Sequence, residues 1–355
     1  MSLEARLKAQ IAVGGPLSVA QYMTLCLHDP AGGYYAVRPR LGEAGDFITA
    51  PLVSQMFGEL VGLWCVEAWV RLGRPRRFLW TEFGPGDGTL ISDALRAARL
   101  EPDFLEAADL WLVEPSAPLR EAQRARLGGA PVQPAWAMDL QGLPEGAPLI
   151  AVGNEVLDCL PAQQFVRTGS GWAERMVGLD ETGELAFGLA PRPTDTAFPE
   201  APAGAVLEVS PAQEAMGADL GRRVAQDGGA ALLIDYGEAG PGFGDTLQAV
   251  RGHGRQTPLQ APGEADLTVH AQFAAVLAAA RREGAMTAQV LTQRAFLLRL
   301  GIEARAQALA KARPDCADLI GRQLQRLIAR GEMGELFKAA CIHSPGLAPP
   351  AFEEP

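Results

Sequence analysis

The segment FLWTEFGPGDGTL, residues 78 to 90, concentrates residue types that can do chemistry. A short apolar run ends in Glu82, and Gly84, Gly86 and Gly88 follow at alternate positions. Thr89 then opens a stretch of helical character. Strand, tight glycine turn and helix N-terminus, in that order, form nucleotide sites in open α/β sheets. Glycine lets the backbone approach the ligand and adopt positive φ. The spacing is E-x-G-x-G-x-G. In the dinucleotide pattern G-x-G-x-x-G the third glycine comes one residue later, which disfavours a nicotinamide dehydrogenase. Glu82, just before the glycines, suits a ligand bearing an amino group or a sulfonium rather than a pyrophosphate. From these residues alone, an ordinary glycine-rich β-turn-α connection remains the alternative.

A second apolar run, 109–113, ends at Glu114. A carboxylate there can accept from both hydroxyls of a ribose, while a solvated acid at a helix N-terminus is the plainer alternative. Its pairing with Glu82, one βα unit earlier, favours an adenosine site. Asp139 follows a third run and is placed to accept from an adenine amino group, with Trp136 packing on or near that ring. A turn role would explain Asp139 equally. The stretch NEVLDCLP puts Asn154, Glu155 and Asp158 after a fourth run. On a helical turn, positions 155 and 158 share a face. Two carboxylates there could hold a guanidinium by bidentate, charge-assisted hydrogen bonds and orient a nitrogen for alkylation. Helix capping by Asn154, with acids in the first turn, accounts for the same residues. GDFITAP, followed by Ser54, Gln55 and Phe57, reads as a polar lid loop. His253 and Asp266 are candidate acid/base partners, although a histidine beside Arg251 is more often structural.

These residues need a scaffold, and the hydrophobic pattern supplies one. Residues 54–72 repeat apolar side chains at helical spacing, and Ser18 opens an earlier helix. From Phe78 the pattern alternates strand and helix, the signature of a parallel sheet. Strands are expected at Phe78–Phe83, 109–113, 132–136, 149–153, 230–234, 286–291 and 337–342. Between the fourth and fifth, Gln163–Thr168, 172–179 and Leu185–Leu189 read as short antiparallel strands joined by glycine turns. The segment 190–204 is rich in proline and alanine and reads as a surface loop. The domain reading is an N-terminal helical extension with a lid loop (1–75), then an α/β domain (76–345) with insertions at about 160–204 and 292–331. The proline-rich tail from 346 is expected to fray.

With 355 residues, 48% hydrophobic and 21% charged, the chain can bury a substantial core. The net charge of -11 disfavours a generic nucleic-acid binder. The five cysteines are scattered and odd in number, without C-x-x-C, so neither a disulfide framework nor a zinc site is supported. No metal is expected. No apolar window has the length of a membrane span and no secretory leader is legible, so a cytoplasmic location is expected.

Taken together, GDFITAPLVSQMFGEL, EFGPGDGTL, VEPS with LREAQ, NEVLDCLP, LLIDYG, DTLQAVRGH and MGELFKAACI resemble the MidA/NDUFAF-seven family of S-adenosylmethionine-dependent methyltransferases, over about 16–342. The resemblance implies a class I, Rossmann-like α/β fold with a mixed seven-stranded sheet. It implies S-adenosyl-L-methionine as cofactor. The implied reaction is symmetric dimethylation of an arginine of the large quinone-side subunit of respiratory complex I. On that reading Glu82, Gly84, Gly86 and Gly88 line the cofactor, Glu114 holds its ribose, and Glu155 with Asp158 faces the acceptor; position in the chain adds Thr89 to the cofactor lining, Trp136 and Asp139 at the adenine, and Asn154 beside the acceptor acids. The family writes an acid where this chain has Gln272. A non-catalytic assembly chaperone that binds the cofactor is the rival reading. A homodimer is left open.

Overall fold

The computed structural model describes residues 1–37, 49–252 and 254–353. The first part of the expected lid loop and His253 therefore lie outside the described residues.

The central sheet is built from β1 (Phe78–Phe83), β2 (Ala108–Val113), β3 (Ala135–Ala137), β4 (Leu149–Asn154), β5 (Gly229–Tyr236), two short edge segments β6 (Met286–Thr287) and β7 (Leu291–Thr292), and β8 (Phe337–His343). The order is β6-β8-β5-β4-β1-β2-β3, with β7 also pairing with β8. β1 to β5 are mutually parallel, and β8 runs antiparallel to β5. Counting β6 and β7 as two pieces of one edge position, this is the mixed seven-strand arrangement of class I methyltransferases. The expected strand at 286–291 is interrupted, and the one at 132–136 is displaced to Ala135–Ala137.

Side-chain alternation explains why both faces are covered. In β1, Phe78 and Trp80 enter one apolar cluster, while Leu79 and Phe83 enter another. On the first face lie α1 (Gln55–Arg71) and α2 (Thr89–Ala98). After α3 (Ala117–Leu127), the second face carries α4 (Pro211–Asp227) and α5 (Phe273–Arg282). Each face has one helix pair in close approach. A Cβ at Gly62 of α1 would lie 2.6 Å from Ala94 Cα, and a Cβ at Gly221 of α4 would lie 2.6 Å from Ala280 Cα. Ser54 accepts from the Met56 amide at the start of α1, the expected helix entry.

The N-terminal helices do not form a unit of their own. Ser18 caps Val19–His28 with a reciprocal capping box to Gln21. Just before it, Leu17–Ser18 pairs with Gly171–Leu179 of the insertion. The insertion contains the three expected strands and a fourth, Val206–Val209, that sequence periodicity did not mark. A further small sheet, Gln248–Arg251 with Gly254–Gln256 and Asp266–Thr268, was also not expected. The helices between β7 and β8 dock through Glu59 of α1. Its buried carboxylate accepts from Arg305 at 2.7 and 3.0 Å and from Arg96 at 3.0 Å. As far as residue 353 the tail is packed rather than frayed. Leu347 and Phe352 are buried, and Trp64 Nε1 donates to the Pro350 carbonyl at 2.9 Å.

The close helix approaches make a direct prediction. Gly62→Ala and Gly221→Ala should each destabilise the fold by about 1–3 kcal/mol, because the neighbour in each case is backbone and cannot rotate away. Denaturant unfolding measures this, and a change near zero for both would contradict the packing described.

Candidate functional site

The glycine turn sits at the carboxyl end of β1, at the centre of the sheet. Gly84, Gly86 and Gly88 have φ of +59°, +57° and +83°, values that side-chain-bearing residues rarely adopt. The turn is clamped rather than loose. Asp87 Oδ1 accepts from the Thr89 amide at 3.0 Å and hydroxyl at 2.7 Å. Arg126 of α3 donates to the Asp87 carboxylate at 2.6 Å and carbonyl at 2.9 Å. Glu82 is buried, and its Oε2 has no hydrogen-bond partner among the described residues. Burial, followed by the negative charge of Asp87, pushes its carboxyl up to about 8.

Glu114, at the end of β2, is also buried. Its Oε1 accepts from the Ser116 amide at 2.8 Å and its Oε2 from Gln123 Nε2 at 3.2 Å. Burial raises its carboxyl to about 7 against these hydrogen bonds. Asp139 accepts from the Gly142 amide at 2.9 Å, capping the short turn Leu140–Gly142, and all of Asp139, Leu140 and Gln141 line the cavity. The turn role and the site position thus coexist. Trp136 is placed otherwise than expected. It does not line the cavity; its Nε1 donates to Gln123 Oε1 at 2.8 Å, and its ring lies under Arg124.

The NEVLDCLP segment is not a helical turn. Glu155 has φ of +54° and donates its amide to the Ile234 carbonyl at 2.8 Å, which puts a left-handed residue directly after β4. Asn154 therefore does not cap a helix. Its Nδ2 donates to Glu155 Oε1 at 3.1 Å, and the Ala50 amide approaches the same oxygen at 3.4 Å. Burial and the neighbouring Asp158 push the Glu155 carboxyl up to about 8. Asp158 is raised to about 6 by burial, opposed by a hydrogen bond from Tyr236. It sits behind the cavity wall rather than in it. Asp235, at the end of β5, accepts from the Leu157 and Asp158 amides at 2.9 and 3.2 Å and so shapes this turn. Asp266 accepts from the Tyr35 hydroxyl at 3.0 Å. Gln272 accepts from the Ser210 amide at 3.1 Å, outside the cavity.

These strand ends meet in one cavity of about 510 Å³. Glu82, Gly84, Gly86, Thr89, Glu114 and Asp139 line it, and so do Asn154 and Glu155; Gly88 sits just behind the turn. The N-terminal segment contributes His28 and Tyr35, whose rings stack at 5.9 Å. Tyr35 also spans the opening between β2 and the small sheet, because its carbonyl accepts from Ser116 Oγ at 2.7 Å. The orphaned Glu82 oxygen and the glycine turn fit an adenosine ligand carrying a cationic amino-acid tail. Sequence reasoning missed Tyr35 and Gln123. The first sits in an unremarkable Tyr-Tyr pair. The second is the seventh residue of α3, with only its position within the LREAQ motif to mark it. Among the described residues no helix is long and apolar enough to cross a membrane.

Comparisons with known proteins agree with this geometry. Residues 60–292 match the family described as "Putative S-adenosyl-L-methionine-dependent methyltransferase". The chain is 34% identical to the zebrafish (Danio rerio) "Protein arginine methyltransferase NDUFAF7, mitochondrial", over 95% of this chain and 86% of that protein. It is also 34% identical to the human protein of the same name, over 91% and 79%. A COG1565 superfamily member from Burkholderia thailandensis, crystallised with S-adenosyl-homocysteine, superposes with a TM-score of 0.85 at 29% identity, covering 98% of this chain and 92% of that one. On the family match and on the relatives it aligns with over most of their length, this chain belongs to the S-adenosylmethionine-dependent methyltransferases of that family.

Proposed function

We propose that the chain is a protein arginine N-methyltransferase, carrying out symmetric dimethylation of an arginine in the large quinone-side subunit of respiratory complex I. The observation that carries this is the single cavity in which Glu82 and Glu155, both raised to about 8 by burial, lie with no cationic side chain hydrogen-bonded to either among the described residues. Buried carboxyls without a countercharge are costly to ionise and are matched by cationic ligands. Two such ligands are required by the reaction: the cofactor and a guanidinium. The names of the relatives, protein arginine methyltransferases, support arginine as the acceptor.

The roles divide along the sheet. Glu82 offers its unpartnered oxygen to the ammonium of the amino-acid tail, and the Gly84–Thr89 turn lets the ligand approach the backbone. Glu114 accepts from the ribose hydroxyls, and Asp139 lies at the adenine end. When bound, S-adenosylmethionine supplies a methyl group activated by its sulfonium. Glu155, with its Oε1 fixed by Asn154, holds the guanidinium and takes up its surplus proton, so that a nitrogen lone pair becomes available. Asp158 acts on Glu155 through charge, keeping it basic enough for that transfer.

The two ends of the cavity should separate on mutation. Glu114→Ala should weaken S-adenosylhomocysteine binding roughly tenfold or more by calorimetry, whereas Glu155→Gln should bind it within about threefold of the parent and lose roughly 100-fold or more of its methylation rate. Mass spectrometry of purified partner subunit reads the second effect. Retained turnover in Glu155→Gln would remove its acceptor role, and an unmodified partner with intact cofactor binding would favour the chaperone reading.

The same carboxyls set a pH dependence. Glu82, Glu155 and Glu114 hold protons in the folded state that the unfolded state has released above the usual value of 4.5. Their stabilising contribution is therefore complete below 4.5 and is lost as pH rises through 7 to 8. The ligand-free protein should melt lower at about pH 8.5 than at about pH 6.5, and saturating S-adenosylmethionine should shrink that difference. A higher melting temperature at the alkaline end without ligand would contradict the assignment.

A further inference from the structure

Gln123 is fully buried in α3, and each of its amide hydrogen-bonding groups is assigned by its neighbours. Trp136 Nε1 can only donate, so the group 2.8 Å from it must be the Gln123 oxygen. The amide nitrogen is then turned the other way, where it lies 2.7 Å from the Gly86 carbonyl and 3.2 Å from Glu114 Oε2. Both acceptors require a donor. Gln123 thus connects the middle glycine of the turn to the acid at the end of the neighbouring strand, and Trp136 on β3 fixes which way the amide faces.

We infer that Gln123 is a positioning residue for the cofactor's ribose, holding the Glu114 carboxylate and the Gly86 carbonyl in one fixed relation, with Trp136 as the residue that orients it. This rests on the cofactor site assigned above and adds residues that do not contact the ligand. Glu114 Oε1 is held by the Ser116 amide and Oε2 by Gln123, so the carboxylate plane is set from both sides before any ligand arrives. Its remaining lone pairs are then presented in one orientation, which lowers the ordering cost of binding. A carboxylate at position 123 would fit the same space and still accept from Trp136. Ionised, it would face Glu114 with like charge and no donor; protonated, it could donate again to Glu114 or Gly86.

The test is S-adenosylhomocysteine binding by titration calorimetry, with circular dichroism as the check on folding, for the parent, Gln123→Leu, Gln123→Glu and Trp136→Phe. Gln123→Leu should lose roughly ten- to a hundredfold in affinity, and Trp136→Phe roughly three- to tenfold. Gln123→Glu should bind well at about pH 5.5 and lose affinity by roughly tenfold or more per the rise to about pH 8, a slope steeper than the parent's. A residue that only packs would give no such slope. If Gln123→Leu fails to fold, the pH slope within Gln123→Glu decides the matter. A parent that does not bind S-adenosylhomocysteine overturns the cofactor site itself. A parent that binds, alongside folded Gln123 variants of equal affinity and equal pH slope, overturns the positioning role alone.

Discussion

The structure turns on carboxyls drawn out of water at the ends of adjacent parallel strands, where among the described residues no cationic side chain is hydrogen-bonded to the carboxylate of Glu82, Glu114 or Glu155. Glu82, Glu114 and Glu155 end β1, β2 and β4 or follow them directly, and each is raised well above the ordinary carboxylate range by burial. Other acids removed from water are met by arginines: Glu59 accepts from two, and Asp227 is held by Arg223 at 2.6 Å. Acids left without such partners in a cavity are destabilising unless something else brings positive charge, and a site for cationic ligands is the condition under which they are tolerated.

The remainder of the fold keeps that condition in place. A parallel sheet buried on both faces brings the strand ends to one edge, and the helix pairs that meet at Gly62 and Gly221 pack closely against it. The left-handed Glu155 and the three positive-φ glycines spend backbone freedom at the rim, where ligand must come close. Around them, short-range ties do the holding: Arg126 on Asp87, Gln123 between Gly86 and Glu114, Asp235 under the turn at 157–158. The N-terminal helices and the insertion share a core of their own, and from it Tyr35 reaches across to Ser116 and Asp266.

Much of this was legible in the residues, and the reason is periodicity. β1 was bounded correctly at Phe78–Phe83 because a continuous apolar run stops at an acid and a glycine turn. The helix from Gln55 was legible because its serine cap and apolar repeat coincide. The glycine turn with Glu82 was legible from local spacing, since turn and acid are neighbours in the chain, and both line the cavity. What depended on distant contacts did not follow. Trp136 is an aromatic residue on a three-residue edge strand, and nothing local says which face it takes; the answer lies in Gln123 on a helix. Residues 155 and 158 suggested a helical turn by their spacing, but the Ile234 carbonyl and the Asp235 side chain capture those backbone amides instead. The tail looked frayed by its prolines, yet Trp64 and a ring contact between Phe296 and Phe352 at 5.7 Å hold it down.

The central claim is that Glu82 and Glu155 are protonated while the cavity is empty and ionise as a cation enters. Titration calorimetry of S-adenosylmethionine binding near pH 6.5, repeated in buffers of different ionisation enthalpy, counts the protons exchanged. With Glu82 raised to about 8 and facing the cofactor's ammonium, binding should release protons to the buffer. Binding with no proton exchange, or with net uptake, would mean that the acids are already ionised in the empty site, and the account of why they are buried there would be wrong.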